Sequence, residues 1–268
     1  MSITPQAQGR GRVTAVASLG DDVFVMRLGS QQVEVYDAKS LKHQHDIAVR
    51  ELGNSSCGLA VCAHHKCLYV SDAANDSVHR AELSRGNAAT TWSVAGVPRG
   101  LSVAREPKGL SVNEARNVLV ACYKARRIQE YTTHGTLVRD ICLKAGVTSP
   151  FHAVQLSNGH YVVSQNTSPG AVSVVRGDGQ VVHNCKGEVY YPTSLAVKRD
   201  DLIHVADSAN NRILTMDSSL RSIEELALPA DVEMHRPSGL CLDESRGRLY
   251  VGEYDGSCRV LVVDSVRL

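Results

Sequence analysis

The sequence predicts an all-β fold, a six-bladed β-propeller of four-stranded antiparallel blades. Three observations predict it. A hairpin phrase recurs along the chain, clearest as Val205-Ala206-Asp207-Ser208-Ala209-Asn210-Asn211-Arg212-Ile213 and as Tyr69-Val70-Ser71-Asp72-Ala73-Ala74-Asn75-Asp76-Ser77-Val78. An opening phrase keeps the same phase: Pro107-Lys108-Gly109-Leu110, Pro192-Thr193-Ser194-Leu195 and Pro237-Ser238-Gly239-Leu240, with variants at Pro150-Phe151-His152 and Ser56-Cys57-Gly58-Leu59. The β-branched residues that close the hairpin phrase, Val33, Val78, Ile128, Val172, Ile213 and Val260, recur about every 45 residues, the span of a four-stranded blade.

Each part of the phrase has a physical reason. Asp and Asn side chains bond nearby backbone and tolerate left-handed geometry, so Asp72–Asp76 and Asp207–Asn211 read as tight turns between β-prone runs. A lone hairpin of this kind is unstable in water, so the repeats need one another. Proline suits the first residue of a strand because it has no N–H for the ladder. The small residue that follows it permits close approach where inner strands crowd an axis.

Taken in order, repeat one spans about residues 12–54, with strands expected at 13–17, 23–27, 32–37 and 45–49. Repeat two runs to about residue 104. Pro98 or Pro107 could open repeat three; Pro107 is chosen because it leaves the usual short hairpin to Val118–Cys122. Repeat three ends near Thr148, repeat four near Tyr190 and repeat five near His235. The turns Thr133-His134-Gly135 and Gly177-Asp178-Gly179 join third and fourth strands. The sixth repeat has room for only three strands, so residues near Ser2–Gln6 are expected to supply its outer strand and close the ring. The whole of 1–268 reads as a single domain.

The chain resembles the NHL-repeat family of β-propellers. The resemblance rests on the Pro-x-Gly-Leu openings and on the phrases at Asp72–Val78 and Asp207–Ile213; two repeats match well and four are degenerate. The Trp-Asp dipeptide of WD40 repeats is missing, since Trp92 precedes Ser93, and so is the Gly-Gly signature of kelch repeats.

Composition narrows the function. With 43% hydrophobic and 21% charged residues and a formal net charge of +1, this is an ordinary globule rather than a strongly basic nucleic-acid protein, although local patches remain open. No apolar run is long enough to span a membrane and no apolar leader opens the chain, so the eight cysteines are expected to be reduced and the protein cytoplasmic, with no membrane role. Cys62-Ala63-His64-His65-Lys66-Cys67 has zinc-like composition but falls in a turn whose equivalents are merely polar, so strand-end cysteines flanking an exposed turn are expected and no metal site. Asp72 and Asp207 are expected to close their turns by bonding backbone. Enzymatic propellers with NHL-like repeats exist, including the lyase that completes peptide amidation, but no matching His and carboxylate trio appears. No Walker loop, Gly-x-Ser-x-Gly or His-Glu-x-x-His occurs either. No catalytic residue and no cofactor are expected, and the isolated domain is expected to be a monomer.

The resemblance implies a binding face built from repeat openings and from the loops between second and third strands. On this chain that face collects Lys108, Tyr123, Lys124, Arg126 and Arg127; Phe151, His152 and Asn166; Tyr190, Tyr191, Asn211 and Arg212; and His235, Arg236 and Tyr254. Repeat three is locally basic, whereas repeats two and six offer Asp76, Glu253 and Asp255. Aromatics with arginine suit stacked bases and phosphates, so RNA, as a single strand or a hairpin, is the first expectation. The alternative is a protein partner, as in substrate recruitment by tripartite-motif (TRIM-NHL) ubiquitin ligases, because the same residues make protein hot spots.

Overall fold

A computed structural model describes residues 2–3, 11–49, 51–83, 89–94, 107–228, 232–256 and 258–264. Among the described residues the chain forms six sheets of four strands each. Blade 1 comprises Val13–Leu19, Asp22–Arg27, Gln32–Asp37 and His43–Ala48, and blade 2 comprises Ser56–Cys62, Cys67–Asp72, Ser77–Glu82 and Ala89–Ser93. Blade 3 comprises Pro107–Val112, Val118–Cys122, Arg127–Tyr131 and Leu137–Cys142, and blade 4 Pro150–Gln155, Tyr161–Gln165, Ala171–Val175 and Val181–Lys186. Blade 5 comprises Pro192–Val197, Ile203–Asp207, Arg212–Met216 and Ile223–Glu225. Blade 6 takes Pro237–Asp243, Arg248–Glu253 and Val260–Asp264 from one end of the chain and Ser2–Ile3 from the other. Ser2 registers with Leu261 and Ile3 with Val260, antiparallel. The rest of the expected clasp, 4–6, lies outside the described residues, as does the rejected opening at Pro98.

The second strand of each blade explains the ring. In Val118–Cys122 every residue is buried, because both faces of the strand are covered. Val118, Val120 and Cys122 pack toward blade 2, whereas Leu119 and Ala121 pack toward blade 4. Val23–Met26, Tyr161–Val163 and Leu249–Val251 divide their side chains in the same alternating way. Side chains on a strand alternate between faces, so an unbroken apolar run is the signature of a sheet sandwiched between two others. Six apolar clusters result, one at each blade interface, including one that joins Val13, Val16 and Tyr36 of blade 1 to Tyr250, Val260 and Val262 of blade 6. Outer strands face water: four of the first five residues of Leu137–Cys142 are exposed, and Ile141 alone of that strand is buried.

The inner strands meet around the axis at backbone distance. A Cβ on Gly58 would lie 2.3 Å from the Lys108 carbonyl oxygen, and one on Gly109 would lie 2.6 Å from His152 Cα. The small residues of the opening phrase are therefore there because neighbouring backbones touch them. Hydroxyls stitch blade to blade. Ser71 Oγ donates to Lys108 O (2.6 Å), Ser111 Oγ to Ala153 O (2.7 Å) and Ser164 Oγ to Thr193 O (2.9 Å). Thr193 Oγ1 donates to Pro237 O (3.2 Å), and Ser238 Oγ to Val13 O (2.6 Å), which carries the stitching back to blade 1.

Candidate functional site

Every blade opens with the same irregularity. The register between first and second strands slips just after the opening residue: Val13, Ser56, Pro107, Pro150, Pro192 and Pro237. A bulge of this kind frees a residue from the ladder and re-aims its side chain. The residues so released include Thr14, Lys108, Phe151, Thr193 and Ser238. All five line one axial pocket of about 350 Å³. Leu28, Asn166, Ser208 and Tyr254, each just past the end of a second strand, complete its wall with Ser55, Tyr191 and Arg236.

The loops around this mouth are held by one device, repeated. The last residue of each second strand is buried: Arg27, Asp72, Cys122, Gln165, Asp207 and Glu253. Five of these side chains grip the segment that enters their own blade. Gly53 N–H donates to Asp72 Oδ2 (2.7 Å), Thr148 N–H to Gln165 Oε1 (2.8 Å), Tyr190 N–H to Asp207 Oδ1 (2.7 Å) and His235 N–H to Glu253 Oε1 (2.9 Å). Arg27 Nη1 instead donates to Gly11 O (3.0 Å). A partner from the third strand or the turn before it completes the charge: Arg27 with Glu34 at 2.9 Å, Arg212 with Asp207 at 2.8 Å and Arg259 with Glu253 at 3.0 Å. Burial alone would raise the Asp72 carboxyl, but hydrogen bonds from Gly53, Asn75 and Ala74 outweigh it and hold the group below the usual carboxylate range. Asp72 and Asp207 thus close their turns on backbone, as expected, and also anchor the linker.

Of the fifteen candidate residues, fourteen divide into three groups and His152 stands apart. Lys108, Phe151, Asn166, Tyr191, Arg236 and Tyr254 come together around the pocket. Tyr123, Lys124, Arg126 and Arg127 sit in or beside the blade 3 turn outside the pocket lining; Lys124 and Arg126 are exposed, and Arg127 is paired with Asp140 at 2.5 Å. Tyr190, Asn211, Arg212 and His235 also stand outside the lining; the Tyr190 and His235 N–H groups serve the latches, while their side chains stay accessible. Asn211 Oδ1 accepts Arg236 N–H (2.8 Å), which ties blade 5 to blade 6, while Arg212 spans Asp207 and Glu225. His152 requires a correction. It is buried, lining the inner channel rather than the open face, and both ring nitrogens are engaged by neighbouring blades. Nε2 donates to Leu110 O (3.1 Å) and Nδ1 accepts Leu195 N–H (3.0 Å). Burial pushes its pKa down to about 4.

Sequence reasoning missed Thr14, Leu28, Ser55, Thr193, Ser208 and Ser238 in the lining, and Arg12 beside it. A signal was present: Thr14, Thr193 and Ser238 hold the same repeat position as Lys108 and Phe151. Arg12 has no such mark. Its guanidinium lies 4.7 Å from the Tyr254 ring centre, that of Arg236 lies 5.7 Å away, and both pair with Asp255, at 3.5 and 3.2 Å. Of the acidic residues expected on this face, Asp255 is therefore matched to arginine, and Glu253 is buried in the blade 6 latch.

Below the mouth an inner channel of about 270 Å³ is walled by the first strands of all six blades. It shares Thr14, Phe151, Thr193 and Ser238 with the pocket. Burial pushes the Cys241 thiol in this channel up to about 11, which keeps it protonated near neutral pH. Cys62 and Cys67 face one another across the first two strands of blade 2, both buried, flanking the turn at 63–66. Cys67 Sγ donates to the Tyr69 hydroxyl (3.2 Å), and His64 is bonded instead to Arg116.

No family model matches the chain, and no curated protein matches it either. Solved structures do. Hydrazine synthase of Kuenenia stuttgartiensis is 16% identical, with a TM-score of 0.70 over 98% of this chain and 99% of that one. A streptogramin B lyase is 11% identical, with a TM-score of 0.72 over 97% and 95%. A chain of the nidogen/laminin complex is 13% identical, with a TM-score of 0.66 over 85% and 84%. At this level of identity the likenesses establish the architecture alone: the chain is a six-bladed β-propeller similar in fold to lyase, hydrazine synthase and nidogen-complex propellers.

Proposed function

We propose that this propeller is a non-catalytic binding platform that holds a polypeptide segment in the axial pocket. The observation that carries this reading is the pairing of arginines on the face. Arg127 is matched by Asp140, and Arg212 by Asp207 and Glu225. A phosphate backbone crossing this face would meet a carboxylate beside each of these cations. A polypeptide offers N–H donors to the pocket hydroxyl oxygens and an apolar side chain to Phe151, Tyr191 and Tyr254. The non-catalytic reading is supported by occupied side chains: His152 and the buried carboxylates of Asp72, Asp207 and Glu253 are committed to neighbouring backbone. On the NHL resemblance, such a module would recruit substrates to a tripartite-motif ubiquitin ligase in the cytoplasm.

RNA is the second reading. It is favoured by exposed Lys124 and Arg126 beside Tyr123, and by exposed Tyr191, whose ring could stack a base. Retention of fluorescent short-peptide and short-RNA pools at low and high salt separates the two. The polypeptide reading expects peptide binding that changes little with salt and weakens about tenfold in Phe151→Ala, the loss of roughly one buried aromatic contact. The RNA reading expects binding that falls steeply with salt and is abolished by Arg126→Glu with Arg127→Glu. Binding of neither pool would overturn the platform itself.

A further inference from the structure

Building on the polypeptide reading above, we propose that the axial pocket recognises the C-terminal residue of its partner. The free α-carboxylate sits at the Arg12–Arg236 pair, and the last side chain rests against Phe151 and Tyr191.

Charge gives the first argument. Among the described residues the pocket lining holds two cationic side chains, Lys108 and Arg236, and no carboxylate. Arg12 and Arg236 approach the Tyr254 ring at 4.7 and 5.7 Å and share a single carboxylate, that of Asp255, at 3.5 and 3.2 Å. Two guanidiniums with one carboxylate leave one positive charge over. A second carboxylate completes the set, with Arg providing the planar fork that carboxylates fit. Both arginine side chains are about half exposed, at 52% and 47%, so they remain accessible to an incoming group.

Depth gives the second argument. Four residues border both the pocket and the channel beneath it, and Phe151 is the one bulky side chain among them. Phe151 thus stands where the two spaces meet. A pocket of about 350 Å³ holds a chain end of one or two residues. Thr193, Ser208 and Ser238 lie on the side of blades 5 and 6; the Thr193 and Ser238 hydroxyls give their protons to Pro237 O and Val13 O, which leaves their oxygens to accept the final peptide N–H.

Two pools of short peptides, randomised at their last positions, test this on the whole chain. One pool ends in a free carboxylate and the other in a carboxamide, and mass spectrometry identifies what is retained. The free-acid pool is expected to be retained about tenfold better, the effect of one charge-assisted pairing. Its enriched last residues are expected to be apolar. Arg236→Gln should erase the preference. Asp255→Asn, which removes the competing carboxylate, should strengthen free-acid binding several-fold and leave the amide pool unchanged, a gain that a merely structural role for Asp255 does not give. Equal retention of the amide pool with Phe151 dependence intact would overturn end recognition and leave the binding platform standing. Retention of internal Asp or Glu peptides irrespective of their ends would do the same. Retention of neither pool would overturn both readings.

Discussion

His152 makes the inner ring testable through pH. Its Nε2–H is given to Leu110 O and its Nδ1 takes the Leu195 N–H, so the neutral imidazole joins blades 3, 4 and 5. Protonation would set a second N–H against the Leu195 donor and put a charge in a buried site. Burial accordingly lowers its pKa to about 4, from an ordinary 6.5. The unfolded chain therefore takes up a proton near 6.5, and the folded chain only near 4. Between these values the unfolded state binds more protons, so stability falls as pH drops through the window. The full shift corresponds to about 3 kcal/mol, of which about 2 kcal/mol is lost by about pH 5 and almost none at about pH 7. At about 2–4 °C per kcal/mol for a chain of this size, the melting temperature should drop by about 4–8 °C from this one group over that range. His152→Gln cannot titrate. It should melt lower at neutral pH because the pair of hydrogen bonds is imperfectly replaced, yet lose less on acidification. Calorimetric melts of both proteins across the pH range give the comparison. Parallel pH profiles, or an NMR titration of the His152 ring near its ordinary value, would refute the reasoning.

Three further outcomes follow from the same geometry. Asp207→Ala removes the acceptor for Tyr190 N–H, Asn210 Nδ2 and Arg212 Nε; because Arg212 is partly exposed and can turn to water, the cost should be near the low end for a broken buried pair, about 3 kcal/mol by urea unfolding. Asp207→Asn, which keeps an oxygen for Tyr190, should lose clearly less, and equal losses would discount the linker contact. Gly58→Ala places a methyl group 2.3 Å from the Lys108 carbonyl oxygen, so the inner strands must part and stability should fall by about 1–3 kcal/mol; an unchanged melting temperature would mean that the strands are not in contact. Deleting residues 2–6 exposes the edge of Val260–Asp264, where Ser2 and Ile3 pair, and should lower the melting temperature by several degrees, about 1–2 kcal/mol. No change would show that the clasp contributes nothing to stability.

Blade number, strand order and the choice of Pro107 over Pro98 were legible because they rest on local chemistry. Turn residues, a proline without an N–H and a glycine under a neighbouring backbone act within a few residues of themselves. The candidate site was less legible because it is assembled across blades. Lys108 and Phe151 stood out by charge and size, while Thr14, Thr193 and Ser238, at the same bulge, look like ordinary small polar residues until the ring brings them together. Arg127 and Arg212 looked like free cations because Asp140 and Glu225 lie on the adjacent strands, at separations that depend on hairpin register. His152 looked like a surface residue because nothing in its own blade reveals that the strands on either side cover it. The tyrosines divide more plainly: Tyr36, Tyr69, Tyr131, Tyr161 and Tyr250 are spent between blades, and the four that remain are Tyr123, Tyr190, Tyr191 and Tyr254, the ones expected on the face.

The slip after each opening residue has a consequence for how such a molecule can change. A side chain that no ladder constrains, and that does not stitch blades as Thr193 and Ser238 do, can be exchanged with little disturbance to the strands that carry it, and this chain already displays a cation and an aromatic ring at equivalent points. Ligand preference can therefore be altered one blade at a time, with the architecture acting as a fixed chassis beneath interchangeable fingertips.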